Sequence, residues 1–303
     1  MEVAFGTESG LWQKRQSDAH LAEAIAPNVT LFGIADGFGE IGRGLATAPL
    51  ALATIRDYLR RRQRVGSFGK NVSPSSLRAI LLAALDHANA RLFAQSGSHE
   101  DFVGSGTSLT AVLIVGRHAF VGHVGDARAY LLRLGRLETL TADDAMFADA
   151  AVTSAKSSLP AKPRMRGLLW RSLGTQAKLE ASIAHIELVG GDQLVLCTDG
   201  VHRCIAEDEL TDALAESETS ADVVGRLLAI AKSRGNIDNG TLIVGRDLLV
   251  AEPARSGKRS PSVPLRALLA IGFLVAALLS YGAYAFHPGF PDHPNNTTVS
   301  DRP

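Results

Sequence analysis

Residues 32–40 read Phe-Gly-Ile-Ala-Asp-Gly-Phe-Gly-Glu, and the apolar run at 29–35 that leads into them predicts a buried strand. The strand is predicted to end at Asp36, where a carboxylate is followed by alternating glycines. Because Gly37 and Gly39 lack a side chain, the backbone there can come close to a ligand. The Asp36 carboxylate and the Gly37 carbonyl oxygen would then suit a hard cation. Taken alone, the Asp-Gly pair fits a hairpin turn equally well.

Three further aspartates stand beside a small or polar residue near a predicted strand end. They are Asp126 after Gly125, Asp199 before Gly200 and Asp238 before Asn239. If the strands lie side by side, these carboxylates and that of Asp36 converge at one sheet edge, where they repel each other unless cations neutralise them. An all-oxygen ligand set selects hard ions such as Mg²⁺ or Mn²⁺. Each aspartate alone is typical of a turn, but the four together predict a metal site.

The composition is that of a folded globular protein. The chain is 46% hydrophobic and 20% charged, as is usual for folded proteins. Its 303 residues are enough for one large domain or two small ones, each with a buried core. Lys+Arg and Asp+Glu both total 31, so the charge balance does not indicate a nucleic acid as partner. The two cysteines, Cys197 and Cys204, are too few for a disulfide framework or a Cys-rich zinc site.

Residues 267–286 carry no charge and are rich in Leu, Ala, Ile, Val and Phe, which predicts a transmembrane helix. A basic cluster precedes the segment, namely Arg255, Lys258, Arg259 and Arg266. The positive-inside rule therefore places the preceding domain in the cytoplasm and a short tail, 287–303, outside. The predicted localisation is the cytoplasmic membrane with a single pass. The alternative is a buried core helix, although such a helix usually shows a polar face.

Hydrophobic periodicity predicts an α+β fold in which helix pairs alternate with antiparallel strands. The predicted helices are 45–62, 73–95, 207–216 and 220–234, and the predicted strands are 2–5, 29–35, 109–115, 119–124, 128–134, 137–140, 181–188, 193–197 and 241–244. No strand is predicted in the polar segment 11–20. Residues 143–166 have no clear period and are expected to form a surface loop or flap. The predicted domains are 1–250, a basic Pro/Ser linker at 251–266, the membrane helix 267–286 and the tail 287–303.

Six sequence blocks, taken in order, resemble the metal-dependent Ser/Thr protein phosphatases of type 2C (the PPM family), bacterial branch. They are Gln13-x-x-Gln16-Ser17-Asp18, Ala35-Asp36-Gly37-Phe38-Gly39, Gly104-Ser-Gly-Thr-Ser-Leu-Thr110, Val124-Gly-Asp-Ala-Arg-Ala-Tyr130, Cys197-Thr-Asp-Gly-Val201 and Asp238-Asn-Gly-Thr241. The resemblance covers about residues 3–247. It implies a four-layer αββα sandwich, with two antiparallel sheets between helical layers and a binuclear Mn²⁺ or Mg²⁺ centre at one sheet edge.

The resemblance also implies roles for individual residues. Asp36 would bridge the two metal ions, Gly37 would give its carbonyl oxygen, and Asp199 and Asp238 would complete the shell of one ion. Asp18 matches the acidic residue that orders metal-bound water. Asp126 matches the position that holds a third, weaker ion together with Asp199. Asp18, Asp36 and Asp199 are therefore the expected catalytic residues.

The implied activity is hydrolysis of phosphoserine and phosphothreonine in proteins by a metal-activated water. The implied partners are phosphorylated proteins, above all substrates of bacterial Ser/Thr kinases. The sequence departs from the family pattern at Gln13, where an arginine usually grips the phosphate, and at Ser17, where a glutamate is usual. His202-Arg203 replaces an acid that many members carry after Asp199-Gly200. These changes leave an alternative, a catalytically weak or inactive pseudophosphatase that acts as a phosphoprotein-binding regulatory module. A third interpretation is a membrane scaffold that uses the fold only structurally.

Overall fold

A computed structural model describes residues 1–11, 15–39, 46–69, 72–98, 104–146, 168–236 and 238–249. Met1–Val250 forms one compact unit, and the second unit, Ala251–Pro303, lies outside the described residues. Within the described ranges, no helix is long and apolar enough to cross a membrane. The segment 267–286, predicted to be a transmembrane helix, lies outside those ranges.

The described strands form two five-stranded antiparallel sheets and one small two-stranded sheet. The strands are β1 (Glu2–Glu8), β2 (Asp18–Ala26), β3 (Val29–Phe38), β4 (Gly106–Val115), β5 (His118–Val124), β6 (Arg128–Arg133), β7 (Arg136–Thr139), β8 (Ala145–Met146), β9 (Leu168–Leu169), β10 (Ser182–Glu187), β11 (Gln193–Cys197) and β12 (Gly240–Arg246). The first sheet has the order β1-β12-β11-β6-β7, the second has the order β10-β5-β4-β3-β2, and β8 pairs with β9. The prediction of two antiparallel sheets is confirmed.

Helices cover the outer face of each large sheet. They are α1 (Thr47–Arg64), α2 (Pro74–Ser98), α3 (Asp199–His202), α4 (Glu207–Glu216) and α5 (Ser220–Ser233). Leu52 and Ile55 of α1 and Leu81 of α2 share a hydrophobic cluster with the second sheet. Leu214 of α4 and Leu227 of α5 share another with the first sheet. A third cluster fills the space between the two sheets, so the order of layers is helix, sheet, sheet, helix.

Strand β3 explains why the run at 29–35 is apolar without interruption. Successive side chains of a strand point to opposite faces. Leu31 and Ala35 belong to the cluster beneath α1 and α2. Phe32 and Ile34 belong to the cluster between the sheets. Both faces of β3 are therefore buried, and an alternating polar pattern would leave polar side chains in a core.

The structure confirms the predicted start of this strand at Val29, moves its end from residue 35 to Phe38 and adds a neighbouring strand, β2. β3 continues to Phe38, and Asp36 pairs with Ser108 of β4 and with Asp18 of β2. The Asp-Gly pair therefore lies within a strand, which excludes the hairpin turn. Strand β2 was not predicted, because its partly buried, alanine-rich sequence gives only a weak alternating pattern. Of the predicted flap at 143–166, residues 147–166 lie outside the described ranges.

The turn of α3 packs unusually closely against the loop before β12. A Cβ atom on Gly200 would lie 2.1 Å from the backbone oxygen of Asn239 and 2.7 Å from its carbonyl carbon. Backbone atoms cannot rotate away as the end of a side chain can. The absence of a side chain at Gly200 is thus what lets these two segments, which carry Asp199 and Asp238, come together.

We expect Gly200→Ala to lower the free energy of unfolding by about 2–3 kcal/mol, the upper part of the range for overpacking a core site. The physical reason is that the backbone at Asn239 must move to admit the new methyl group. The measurement is chemical denaturation of the full chain, with the unfolding transition monitored by circular dichroism.

Gly225→Ala is the matched control, because Gly225 lies inside α5 and a Cβ atom added there would meet nothing within 4 Å. Alanine favours a helix over glycine by up to about 1 kcal/mol, so this change should leave stability equal or raise it. If Gly200→Ala were as stable as the unchanged protein, the inferred close packing of α3 against the loop before β12 would be wrong.

Candidate metal centre

Three aspartates meet at one edge of the sandwich. One carboxylate oxygen from each of Asp36, Asp199 and Asp238 lies within 4.8 Å of the other two. Asp36 and Asp199 are buried, whereas Asp238 is partly exposed. Among the described residues, this is the only group of three or more potential metal ligands of the His, Cys, Asp and Glu types. The structure thus brings together three residues that are far apart in sequence and that the sequence analysis singled out.

Asp36 is held by hydrogen bonds from both neighbouring segments. The Thr107 hydroxyl donates to the Asp36 carbonyl oxygen at 2.8 Å, and the Ser17 hydroxyl donates to Asp36 Oδ1 at 3.3 Å. The amide of Gly37 donates to the Ser17 carbonyl oxygen at 3.1 Å. Gly37 follows Asp36 in β3 and pairs with Thr107. The Gly37 backbone therefore lies next to the Asp36 side chain, which is the position that Gly37 needs if its carbonyl oxygen is to bind a metal ion, as predicted.

Asp18 lies opposite Asp36 in the register of β2 and β3 and is fixed by two hydroxyl groups. Thr198 and Thr241 donate to Asp18 Oδ2 at 2.8 and 2.7 Å. The Thr198 hydroxyl also accepts from the Thr241 amide at 2.9 Å. Because Thr198 directly precedes Asp199, this chain of bonds ties the start of α3 to β12 and to β2. Asp18 is therefore linked to the three-aspartate group without being one of its members.

The surroundings of Asp18 favour the presence of a cation. Burial raises its pKa to about 7, and the charge of Asp199 acts in the same direction, whereas the hydrogen bonds from Thr241 and Thr198 lower the pKa. Its Oδ1 atom is buried and has no hydrogen-bond partner among the described residues. A nearby divalent ion, or water bound to it, would satisfy this oxygen and favour the charged carboxylate. The residues present therefore fit hard cations with oxygen ligands.

The loop before β12 holds Asp238 in place through two asparagines. The Asn236 side chain donates to the Asp238 carbonyl oxygen at 2.7 Å, and its Oδ1 accepts from the Asp238 amide at 3.2 Å. The Asn239 side chain donates to the Arg15 carbonyl oxygen at 2.9 Å and to the Ser17 hydroxyl at 3.2 Å. The loop is thereby connected to the segment that precedes β2, and hence to Asp18.

Asp126 lies in the turn between β5 and β6, outside the three-aspartate group. Its Oδ2 accepts a hydrogen bond from Arg203 at 3.2 Å, and its carbonyl oxygen accepts one from His202 Nε2 at 2.9 Å. Burial lowers the pKa of His202 to about 3, so this imidazole is neutral.

A second histidine near this turn, His123, is also hydrogen-bonded. It bonds Thr110 Oγ1 at 2.9 Å and the Ala142 carbonyl oxygen at 3.0 Å. His123 and His202 are thus hydrogen-bonded and are not members of the three-aspartate group.

Some residues that shape the site were not singled out from the sequence. Thr198, Thr241 and Asn239 were given no role of their own within their motifs. In the fold, Thr198 and Thr241 donate to Asp18 Oδ2, and Asn239 donates to the Ser17 hydroxyl, which in turn donates to Asp36. Thr198 and Asn239 could have been noticed as small polar residues directly beside a predicted ligand, whereas Thr241 lies three positions after Asp238. Gln13, where the family usually has arginine, lies outside the described residues. Ser17 contacts Asp36 through its hydroxyl group, at the position where the family usually has glutamate.

Comparison with known proteins agrees with the geometry. The chain is 29% identical over 229 residues to the Ser/Thr protein phosphatase PstP of Mycobacterium tuberculosis, covering 75% of this chain and 42% of PstP. It therefore spans less than half of that relative. It is 26% identical to the Ser/Thr phosphatase stp of Listeria monocytogenes, covering 82% of this chain and 97% of stp.

A solved structure shows the same fold with metal bound. The catalytic domain of PstP in complex with two manganese ions superposes with a TM-score of 0.63 at 27% identity, covering 80% of this chain and 96% of that one. The sequence profile of the family described as protein phosphatase 2C matches residues 13–239, well over half of the chain. The chain belongs to the protein phosphatase 2C family.

Proposed function

We propose that the protein is a metal-dependent protein serine/threonine phosphatase. The observation that carries the proposal is the group formed by Asp36, Asp199 and Asp238, whose carboxylate oxygens lie within 4.8 Å of each other. Cations beside such a group of like charges would offset their repulsion, and its oxygen ligands suit Mn²⁺ or Mg²⁺. Membership of the family and the two manganese ions of the related catalytic domain support two ions here.

The residues of the site would have two roles, to bind the cations and to orient the attacking water. Asp36, with the Gly37 carbonyl oxygen, and Asp199 and Asp238 would hold the cations. Bound cations would acidify a water to a nucleophile near neutral pH and stabilise the phosphoryl oxygens. Asp18 would orient a water there, because Thr198 and Thr241 hold its Oδ2 while its buried Oδ1 has no hydrogen-bond partner among the described residues. No covalent phospho-enzyme is needed.

The pseudophosphatase reading is less well supported than the enzyme. A module that only binds phosphoproteins has no need for converging carboxylates, whereas this chain keeps three of them and the hydroxyl groups that position Asp18. Ser17 also remains useful to the site, because its hydroxyl donates to Asp36 Oδ1. Phosphorylated proteins, including substrates of bacterial Ser/Thr kinases, are the proposed substrates.

We also propose that the enzyme is tethered to the cytoplasmic face of the membrane. The support is in the sequence, where 267–286 is long and apolar enough for a spanning helix and follows the basic linker 251–266. Such a tether would confine the catalytic domain near the membrane, where membrane-anchored kinases phosphorylate their substrates. The short tail 287–303 would then lie outside.

We expect the full chain, purified in detergent, to hydrolyse p-nitrophenyl phosphate and a phosphothreonine peptide when Mn²⁺ is present and to lose this activity with EDTA. Asp36→Asn and Asp199→Asn should each lower kcat/KM by more than the roughly 10–100-fold that loss of a supporting residue around a metal costs. The reason is that each change removes a charged metal ligand. The measurement is steady-state kinetics, with bound manganese counted in parallel.

The control for this experiment is Asp86→Asn, which makes the same chemical change on the exposed side of α2 and should leave kcat/KM unaltered. Manganese binding without turnover of either substrate would refute the phosphatase proposal and favour the pseudophosphatase. Turnover that survives both Asp36→Asn and Asp199→Asn would place the chemistry elsewhere.

The membrane proposal predicts the fractionation of the protein after expression in bacteria. The full chain should sediment with membranes, resist high salt and alkaline carbonate, and be released by detergent, because an apolar helix of this length partitions into lipid. A chain that stops at residue 250 should stay in the supernatant. Release of the full chain by salt alone would indicate peripheral binding through the basic linker and would contradict the spanning helix.

A further inference from the structure

Arg203 connects two carboxylates at the rim of the candidate metal centre. It lies four residues after Asp199, directly after α3. Its Nη1 is 3.0 Å from Asp199 Oδ2, and its Nη2 is 3.2 Å from Asp126 Oδ2. The Asp126 and Asp199 side chains are only 6% and 3% exposed, whereas that of Arg203 is 24% exposed. The guanidinium group therefore covers the gap between two buried carboxylates from the solvent side.

The backbone on the Asp126 side of this bridge is fixed independently of Arg203. Gly125 has a φ of +101°, and a Cβ atom there would lie 2.5 Å from Ser108 Cβ. Its amide donates to Asp144 Oδ2 at 3.1 Å. His202 donates to the Asp126 carbonyl oxygen from the other side. The backbone of the turn that carries Asp126 is thus held in place by contacts that do not involve Arg203.

The same two carboxylates are the pair that the family resemblance assigns to a third metal ion. That assignment does not fit this chain. An arginine is always charged at physiological pH, and its planar group already occupies the space where a cation would contact Asp126 and Asp199 together. A metal ion placed there would be repelled by the guanidinium charge or would have to displace a side chain that both carboxylates hold.

We propose that Arg203 is a built-in cation that replaces a metal ion between Asp126 and Asp199. It also acts as a positioning residue, since it holds Oδ2 of Asp199, a member of the group formed with Asp36 and Asp238. Asp126 is then a partner of arginine rather than a metal ligand. This proposal assumes that Asp36, Asp199 and Asp238 bind metal ions, as proposed above, but it does not assume that the protein hydrolyses phosphate esters.

The test is to count Mn²⁺ bound by the full chain in detergent, using equilibrium dialysis and elemental analysis. We expect Arg203→Met, which keeps an apolar stem of similar width and removes the charge, to bind one more Mn²⁺ per chain than the unchanged protein. Adding Asp126→Asn to that variant should abolish the extra ion. Arg203→Lys keeps a cation and should bind the original number.

Asp126→Asn alone provides a second test that does not depend on the folding of the Arg203 variants. If Asp126 bonds to arginine, this change leaves the manganese count unaltered; if it is a ligand, one ion is lost. The proposal would be overturned by a lost ion in Asp126→Asn, or by equal counts in Arg203→Met and the unchanged protein when circular dichroism shows both folded. Because the readout is bound metal, an inactive protein with these counts would refute the phosphatase proposal and leave this one standing.

Discussion

Repulsion between carboxylates brought together at one edge of the sandwich is the constraint on which the rest of the site depends. Asp36, Asp199 and Asp238 lie within 4.8 Å of each other, and Asp18 adjoins them across the β2–β3 pair. At such distances, partly buried like charges oppose folding by several kcal/mol unless other groups offset them. Hydrogen bonds from Ser17, Thr198 and Thr241 offset part of the repulsion, and bound cations would offset the remainder.

The two-sheet architecture makes this arrangement possible. Asp36 belongs to the second sheet, whereas Asp199 and Asp238 flank β11 and β12 of the first sheet. The apolar layer between the sheets, which includes Phe32, fixes the distance between them. Packing of the two sheets around this layer therefore brings the carboxylates to one edge. A cation that binds only the folded chain would in turn stabilise it.

The sequence predicted the parts of this structure that depend on local patterns. Asp36, Asp199 and Asp238 stand near the ends of apolar runs, and strands in one sandwich bring such positions to a common edge. Strand β2 was missed because it is partly buried along most of its length, so its alternation is weak. The bonds from Thr198 and Thr241 to Asp18 join residues 180 and 223 positions apart. No local pattern encodes such contacts, which follow only from the register of the sheets.

The position of Arg203 shows how a departure from a family pattern acquires meaning only in three dimensions. In the sequence, His202-Arg203 is a substitution near a predicted metal ligand. Arg203 and Asp126 are 77 positions apart in the sequence, yet in the fold the two are hydrogen-bonded. An arginine neutralises carboxylates permanently, whereas a weakly bound metal ion does so only at sufficient concentration. The edge near Asp126 thus carries a fixed charge, and exchangeable cations are needed only where Asp36, Asp199 and Asp238 meet.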